Sequence, residues 1–157
     1  MALLTGRTQI FSGDTSIVDS VKKHVLGTRA MDVDGNEYIY CEGVASVVAG
    51  DWVSFDEAYV LLRLTTNNIG SVGVAMAAIV ASRYGWVQIY GKNTIALGNS
   101  GNVADNGQLY TTGTAGVVDD ADAANEMIIG AWSRSADASG VFTAQLNYPI
   151  VINAAID

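Results

Sequence analysis

From Thr28 onward, turn-forming residues interrupt the chain at roughly the 8–12-residue spacing of antiparallel β domains, with little helical patterning and no βαβ alternation. TRAMDV and NEYIYCEGVA flank Asp34-Gly35, a dipeptide that supplies the positive φ angles of a tight hairpin. In AGDWVSFDEA, Trp52 and Ser54 alternate with Val53 and Phe55, and YVLLRLT follows at once. EMIIGAWSRS and VFTAQLNYPIV flank ADASG, another hairpin signature, with Trp132 and Phe142 as core or interface rings. The reading is all-β, a compact antiparallel β-barrel or β-sandwich.

Residues 72–92, VGVAMAAIVASRYGWVQIYGK, test that reading. Val74 to Ala81 is apolar on every face, so periodicity alone does not separate a buried helix from a buried strand. Its short length and flanking turn residues favour a strand, ended by a turn at Ser82-Arg83-Tyr84-Gly85. A second strand follows, with Trp86, Gln88 and Tyr90 on one face, Val87 and Ile89 on the other, and Gly91-Lys92 closing a hairpin. The region 98–120 holds five glycines and loop chemistry, with short strands at LYTT and GVV. DDADAANEM invites the one short helix expected.

The 157 residues fit a single domain, divided here into an N-terminal arm or edge segment, 1–27, and a β domain, 28–157. The first segment is polar and weakly periodic, and it clusters Lys22, Lys23 and His24. Through Lys92 the chain carries 7 basic and 9 acidic residues; beyond it Arg134 alone faces 7 acids. A net charge of −8 repels phosphate backbones and argues against nucleic-acid binding. The longest apolar run is too short to span a bilayer, the N-terminus lacks a secretory apolar region, and Cys41 has no intrachain partner. These features predict a soluble protein made in a reducing cytoplasm.

Motifs for catalysis or metal binding are weak. Gly85 to Lys92 resembles a phosphate-binding loop, but five residues separate the glycines where four are needed, and Asn93 replaces the Ser or Thr that would meet magnesium. Asp32, Asp34 and Asn36 have the first spacings of a calcium loop, yet Glu37 stands where the turn glycine belongs and Glu42 comes one residue early. His24 is the only histidine, which excludes multi-histidine zinc sites. Cys41 reads as a small core residue. Asp56-Glu57 and Asp119-Asp120 read as turn or surface pairs, since neighbours on a strand point to opposite faces. No cofactor or metal is implied, and an enzyme is not expected.

YIYCEGVASVVAGDWVSFDEA, GSVGVAMAAIVASRYGWVQIYGK, GQLYTTGTAGVVDDA and GAWSRSADASGVFTAQLNYP, in that order, resemble the small capsid decoration, or cement, proteins of tailed bacteriophages. The resemblance covers roughly residues 28–150; its most specific part is Gly73-Val-Ala, then Tyr84-Gly85-Trp86, then Tyr90-Gly91. It implies a non-catalytic, often trimeric virion protein on the outer capsid surface, with the major capsid protein as partner. The N-terminal tract has no counterpart in it.

Two sets of contact residues are expected on that basis. Arg7, Lys22, Lys23 and Arg29 hold half of the basic residues and are expected to face the capsid. Trp52, Trp86, Tyr90 and Trp132 are expected either in self-association or in the core, because aromatic rings are enriched at both. The alternative function is a β-sandwich module that binds carbohydrate or a receptor through surface rings; a hydrolase is a distant third.

Overall fold

The computed structural model of the chain describes residues 13–121 and 126–152. Among these residues there is no helix, and the ten strands belong to one sheet. They are β1 (Arg29–Met31), β2 (Glu37–Glu42), β3 (Trp52–Phe55), β4 (Leu61–Arg63), β5 (Gly70–Ala75), β6 (Tyr84–Leu97), β7 (Gln108–Thr111), β8 (Val118–Asp119), β9 (Met127–Ser133) and β10 (Val141–Val151). The sheet order is β1-β2-β6-β5-β10-β9-β7-β8, with β3 added to β5 and β4 to β3. All these strand pairs are antiparallel. The expected all-β class is observed. The sheet does not close into a barrel: β8 reaches the end of β6 only through one isolated bridge, Gly98 to Val118.

The two long strands organise everything else. β6 pairs with β10 from Tyr90 to Leu97, and with β2 from Tyr84 to Tyr90. Where β6 and β10 part, β5 fills the fork: Val74 and Ala75 pair with Gln88 and Val87, while Ser71 and Gly70 pair with Ile150 and Val151. Irregularities mark the branch point. The β2–β6 register shifts between Glu37 and Tyr38, Gly91 has a φ of 95°, and the β9–β10 register shifts between Leu146 and Ile150.

Alternate side chains of the central strands enter different cores. Val72 and Val74 of β5, with Trp52 of β3, join a cluster that includes Leu109, Ile128, Phe142 and Leu146. Ala75 and Val53, from the same strands, join Ile39, Leu61, Ile79 and Val87. A strand buried on both faces has no reason to alternate with polar residues, which is why VGVA shows no period. Each fully buried aliphatic side chain contributes about 1.5–3 kcal/mol.

The hairpins at Asp34-Gly35, between β3 and β4, and between β9 and β10 match expectation. The stretch after β5 does not. The chain leaves the sheet after the Met76 amide donates to the Trp86 carbonyl at 3.0 Å, and tight turns follow through Ile79, Val80 and Arg83. This apolar loop folds back over the second core, where Ile79 and Ala77 are buried. Gly43 and Gly85 make room for it: a Cβ at Gly43 would lie 2.0 Å from the Ile79 carbonyl oxygen, and one at Gly85 would lie 2.9 Å from Ile79 Cγ1.

One further expectation is corrected. β6 does not end at Gly91-Lys92 but continues to Leu97: Gly91, with its positive φ, stays in register opposite Leu146 of β10, and the irregularity in the β2 pairing falls just before it, between Gln88 and Tyr90. Beyond that irregularity Tyr90 is exposed, while Trp86 and Gln88 before it stay buried. The expected short helix at 119–127 lies partly outside the described residues; Asp119 ends β8 and Met127 begins β9.

Residues 13–28 form no named strand but lie against the body. Asp19 forms an isolated antiparallel bridge with Tyr84, and the Gly27 amide donates to the Tyr40 carbonyl at 2.8 Å. Asp19 is buried; its Oδ2 accepts the Tyr40 hydroxyl at 2.7 Å and its Oδ1 lies 2.8 Å from Lys23 Nζ. Burial raises the Asp19 carboxyl, but Lys23 and Tyr40 outweigh it and hold the group below the usual range. The described part of this segment is therefore docked.

Candidate functional site

Near the fork a groove of about 490 Å³ opens toward the second core. Its lining includes the buried side chains Ile39, Val72 and Ile89, and Phe55, Ile69 and Ile150 nearer solvent. Arg29 from β1, Asp56 and Glu57 from the β3–β4 turn, and the rings of Tyr59 and Tyr148 complete it. The groove thus combines an aliphatic floor with a rim of charged and phenolic groups, a mixed lining that can contact both apolar and charged side chains.

The backbone marks the same place. Tyr59 and Tyr148 have φ of 60° and 48°. Bulky residues seldom adopt this left-handed region, and each such placement costs about 1–3 kcal/mol unless the surroundings enforce it. Around Tyr59 they do so through its carbonyl, which accepts the Glu42 amide at 2.9 Å, and its amide, which donates to Asp56 at 3.0 Å. Its ring stacks on Phe55 and lies where a Cβ on Gly27 would fall, 2.3 Å from Tyr59 Cε2. Gly27, with φ of 83°, is thus required for two separate reasons.

Tyr148 sits in the irregular part of β10, just before Pro149. Its hydroxyl donates to Glu37 Oε1 at 2.8 Å, and its ring packs against Tyr90 with centroids 5.2 Å apart. The Arg29 guanidinium lies 5.9 Å from the ring centroid. Partial burial and the bond to Glu37 raise the phenol above its ordinary range.

The expected contact residues separate into distinct settings. Arg7 lies outside the described residues. Lys22 is exposed and makes no ion pair among the described residues, whereas Lys23 is committed to Asp19. Trp52 is buried in the first core and stacks on Phe142 at 6.5 Å; Trp86 is buried with Tyr40 in a third, smaller cluster. Tyr90 and Trp132 are exposed, Trp132 on the outer side of β9 opposite Gln145. The structure brings Arg29 and Tyr90 onto one ring, that of Tyr148.

The groups weighed for chemistry have structural partners. Asp32 accepts from the amides of Asp34 and Asn36, from Asn36 Nδ2 and from the Tyr38 hydroxyl, at 2.8–2.9 Å, and so ties the first hairpin. Cys41 is buried, and burial pushes its thiol up to about 12. His24 is exposed at the edge of Tyr40, with centroids 5.0 Å apart, and beside Trp86. Among the described residues no group of three or more His, Cys, Asp or Glu side chains is placed to hold a metal.

Tyr59, Tyr148, Phe55 and Ile69 were not among the expected site residues. Pro149 in an apparent strand was the available signal, because proline inside a sheet marks an edge or a bulge. Compared with protein-family models, curated proteins and solved structures, the chain matches none of them.

Proposed function

We propose that this chain is a structural virion protein that binds the outer surface of an assembled phage capsid and stabilises its lattice, without catalysis. The reading rests on the resemblance of residues 28–150 to capsid decoration proteins. One structural observation supports it further: Met127, Ile129 and Trp132 of β9, with Ile150 of β10, are each at least 40% exposed, while the intervening Ile128, Ala131 and Val151 are buried. Ile129 and Ile150 are direct partners across the strands, so this is one apolar strip on a rigid sheet. Such a strip is the chemistry of a protein contact. Bound to assembled capsid and not to free subunits, it would stabilise the lattice by mass action.

The test is addition of the purified protein to capsids that lack it. Saturable co-sedimentation, at a copy number set by capsid symmetry, and raised resistance of those capsids to heat are expected. Substitution of Ile129 or Trp132 by Asp should abolish co-sedimentation while leaving the fold intact by circular dichroism. Capsids that take up none of the wild-type protein would refute the reading.

A carbohydrate- or receptor-binding module is the second reading, favoured by the exposed Tyr90 and Tyr148 rings beside Arg29 and Glu37. Titration with glycans distinguishes it: ring-dependent binding, lost in Tyr90→Ala, would support the module.

A further inference from the structure

We infer that the groove bounded by Tyr59 and Tyr148 receives the 17–25 tract of a second copy of this chain, with Lys22 of the incoming copy set against Glu57. This goes beyond the proposed function, which assigns no surface to self-association, and it can be tested without capsids.

Both halves of the contact are present on one molecule. In the tract, Ile17, Val21 and Val25 are 52%, 73% and 79% exposed, although Val18, Asp19 and Leu26 between and beside them are packed inward. The tract is therefore held in place and presents aliphatic side chains outward. Lys22 stands among them without an ion pair among the described residues. In the groove, Ile69 is 62% exposed over an apolar floor, and Glu57 likewise has no ion pair among the described residues.

Apolar surface and charge are thus complementary, and the two strained tyrosines locate the receiving side. A net charge of −8 makes random contacts between copies repulsive, so association favours the place where a free cation meets a carboxylate. Tract and groove are different surfaces, so the contact is heterologous and repeats head to tail, closing into a ring when the rotation allows.

The experiment is sedimentation velocity of the full chain over a concentration series. Wild type is expected to form a concentration-dependent closed oligomer, and Val21→Asp and Ile69→Asp to be monomeric. Both side chains are exposed, so both variants should keep the wild-type circular dichroism. An equimolar mixture of the two should regain a dimer, since one copy still has an intact groove and the other an intact tract. Lys22→Glu should weaken association about threefold to tenfold, and adding Glu57→Lys should restore it. A monomeric wild type, variants that associate like wild type, or a mixture that stays monomeric would each overturn the inference. Capsid binding by a protein that fails these tests would leave the proposed function standing.

Discussion

Tyr59 and Tyr148 come from distant parts of the chain, yet both line one groove and both hold a left-handed backbone, with φ of 60° and 48°. Glycine ordinarily weakens a strand relative to alanine by roughly 0.5–1 kcal/mol. At Tyr148 that order should reverse. Tyr148→Gly loses the same ring contacts as Tyr148→Ala but adopts the positive φ without strain, so it should be the more stable of the two by about 1 kcal/mol. Urea unfolding of both variants checks this, and the ordinary order would show that the backbone there relaxes freely.

Arg63 and Asp51 form the buried ion pair of the β3–β4 region, with Nε to Oδ2 at 2.7 Å and Nη2 to Oδ1 at 3.1 Å. Asp51 is fully buried and also accepts the Val48 amide. Arg63→Met strands that carboxylate and should cost about 3–5 kcal/mol in unfolding free energy. Asp51→Asn in the same background should recover part of the loss, since it removes the uncompensated charge.

Gly43→Ala should be more damaging than its small volume implies. The added methyl would meet the backbone of Ile79 and Val80 rather than a mobile side chain. The 76–83 loop would have to lift from the second core, at a cost of about 1–3 kcal/mol. Hydrogen exchange should show faster opening of this loop, with the β9–β10 pairing little changed.

Asp19, Asp32 and Glu126 all have carboxyls held below their usual range. In each, burial raises the group but hydrogen bonds outweigh it: from Lys23 and Tyr40, from Asn36 and Tyr38, and from Thr111 and the Asn67 amide. A carboxyl lowered on folding adds stability above its unfolded pKa, about 4, and loses it as pH falls through the folded value. Unfolding free energy should therefore be level in these groups' contribution from pH 7 to about 5 and fall below about pH 4. Asp32→Asn should flatten the acid limb in a series of urea titrations across that range.

The hairpins were legible because turn chemistry is local: Asp34-Gly35 needs no distant partner to bend the chain. The fate of Met76 to Arg83 was not, since an apolar run records burial and not the shape in which it is buried. What decides its shape is the missing side chains of Gly43 and Gly85, one of them distant in sequence. Trp52 and Trp86 against Tyr90 and Trp132 posed a similar problem. All four lie on strands, and only the bulge near Gly91 and the single-sided burial of β9 separate core rings from surface rings. The groove was hidden for the same reason, being assembled from β1, β2, the β3–β4 turn, β5, β6 and β10.

The wedge of β5 between β6 and β10 has a mechanical consequence. A tension applied along the two long strands loads their shared hydrogen bonds in shear, all at once, and any sliding must first expel the strand lodged in the branch. Local melting at the short outer strands, β1, β4 or β8, leaves that joint intact. The molecule can therefore fray at its periphery while transmitting load through its middle, and the last amides to exchange with solvent should be those of Val74, Gln88 and Leu146.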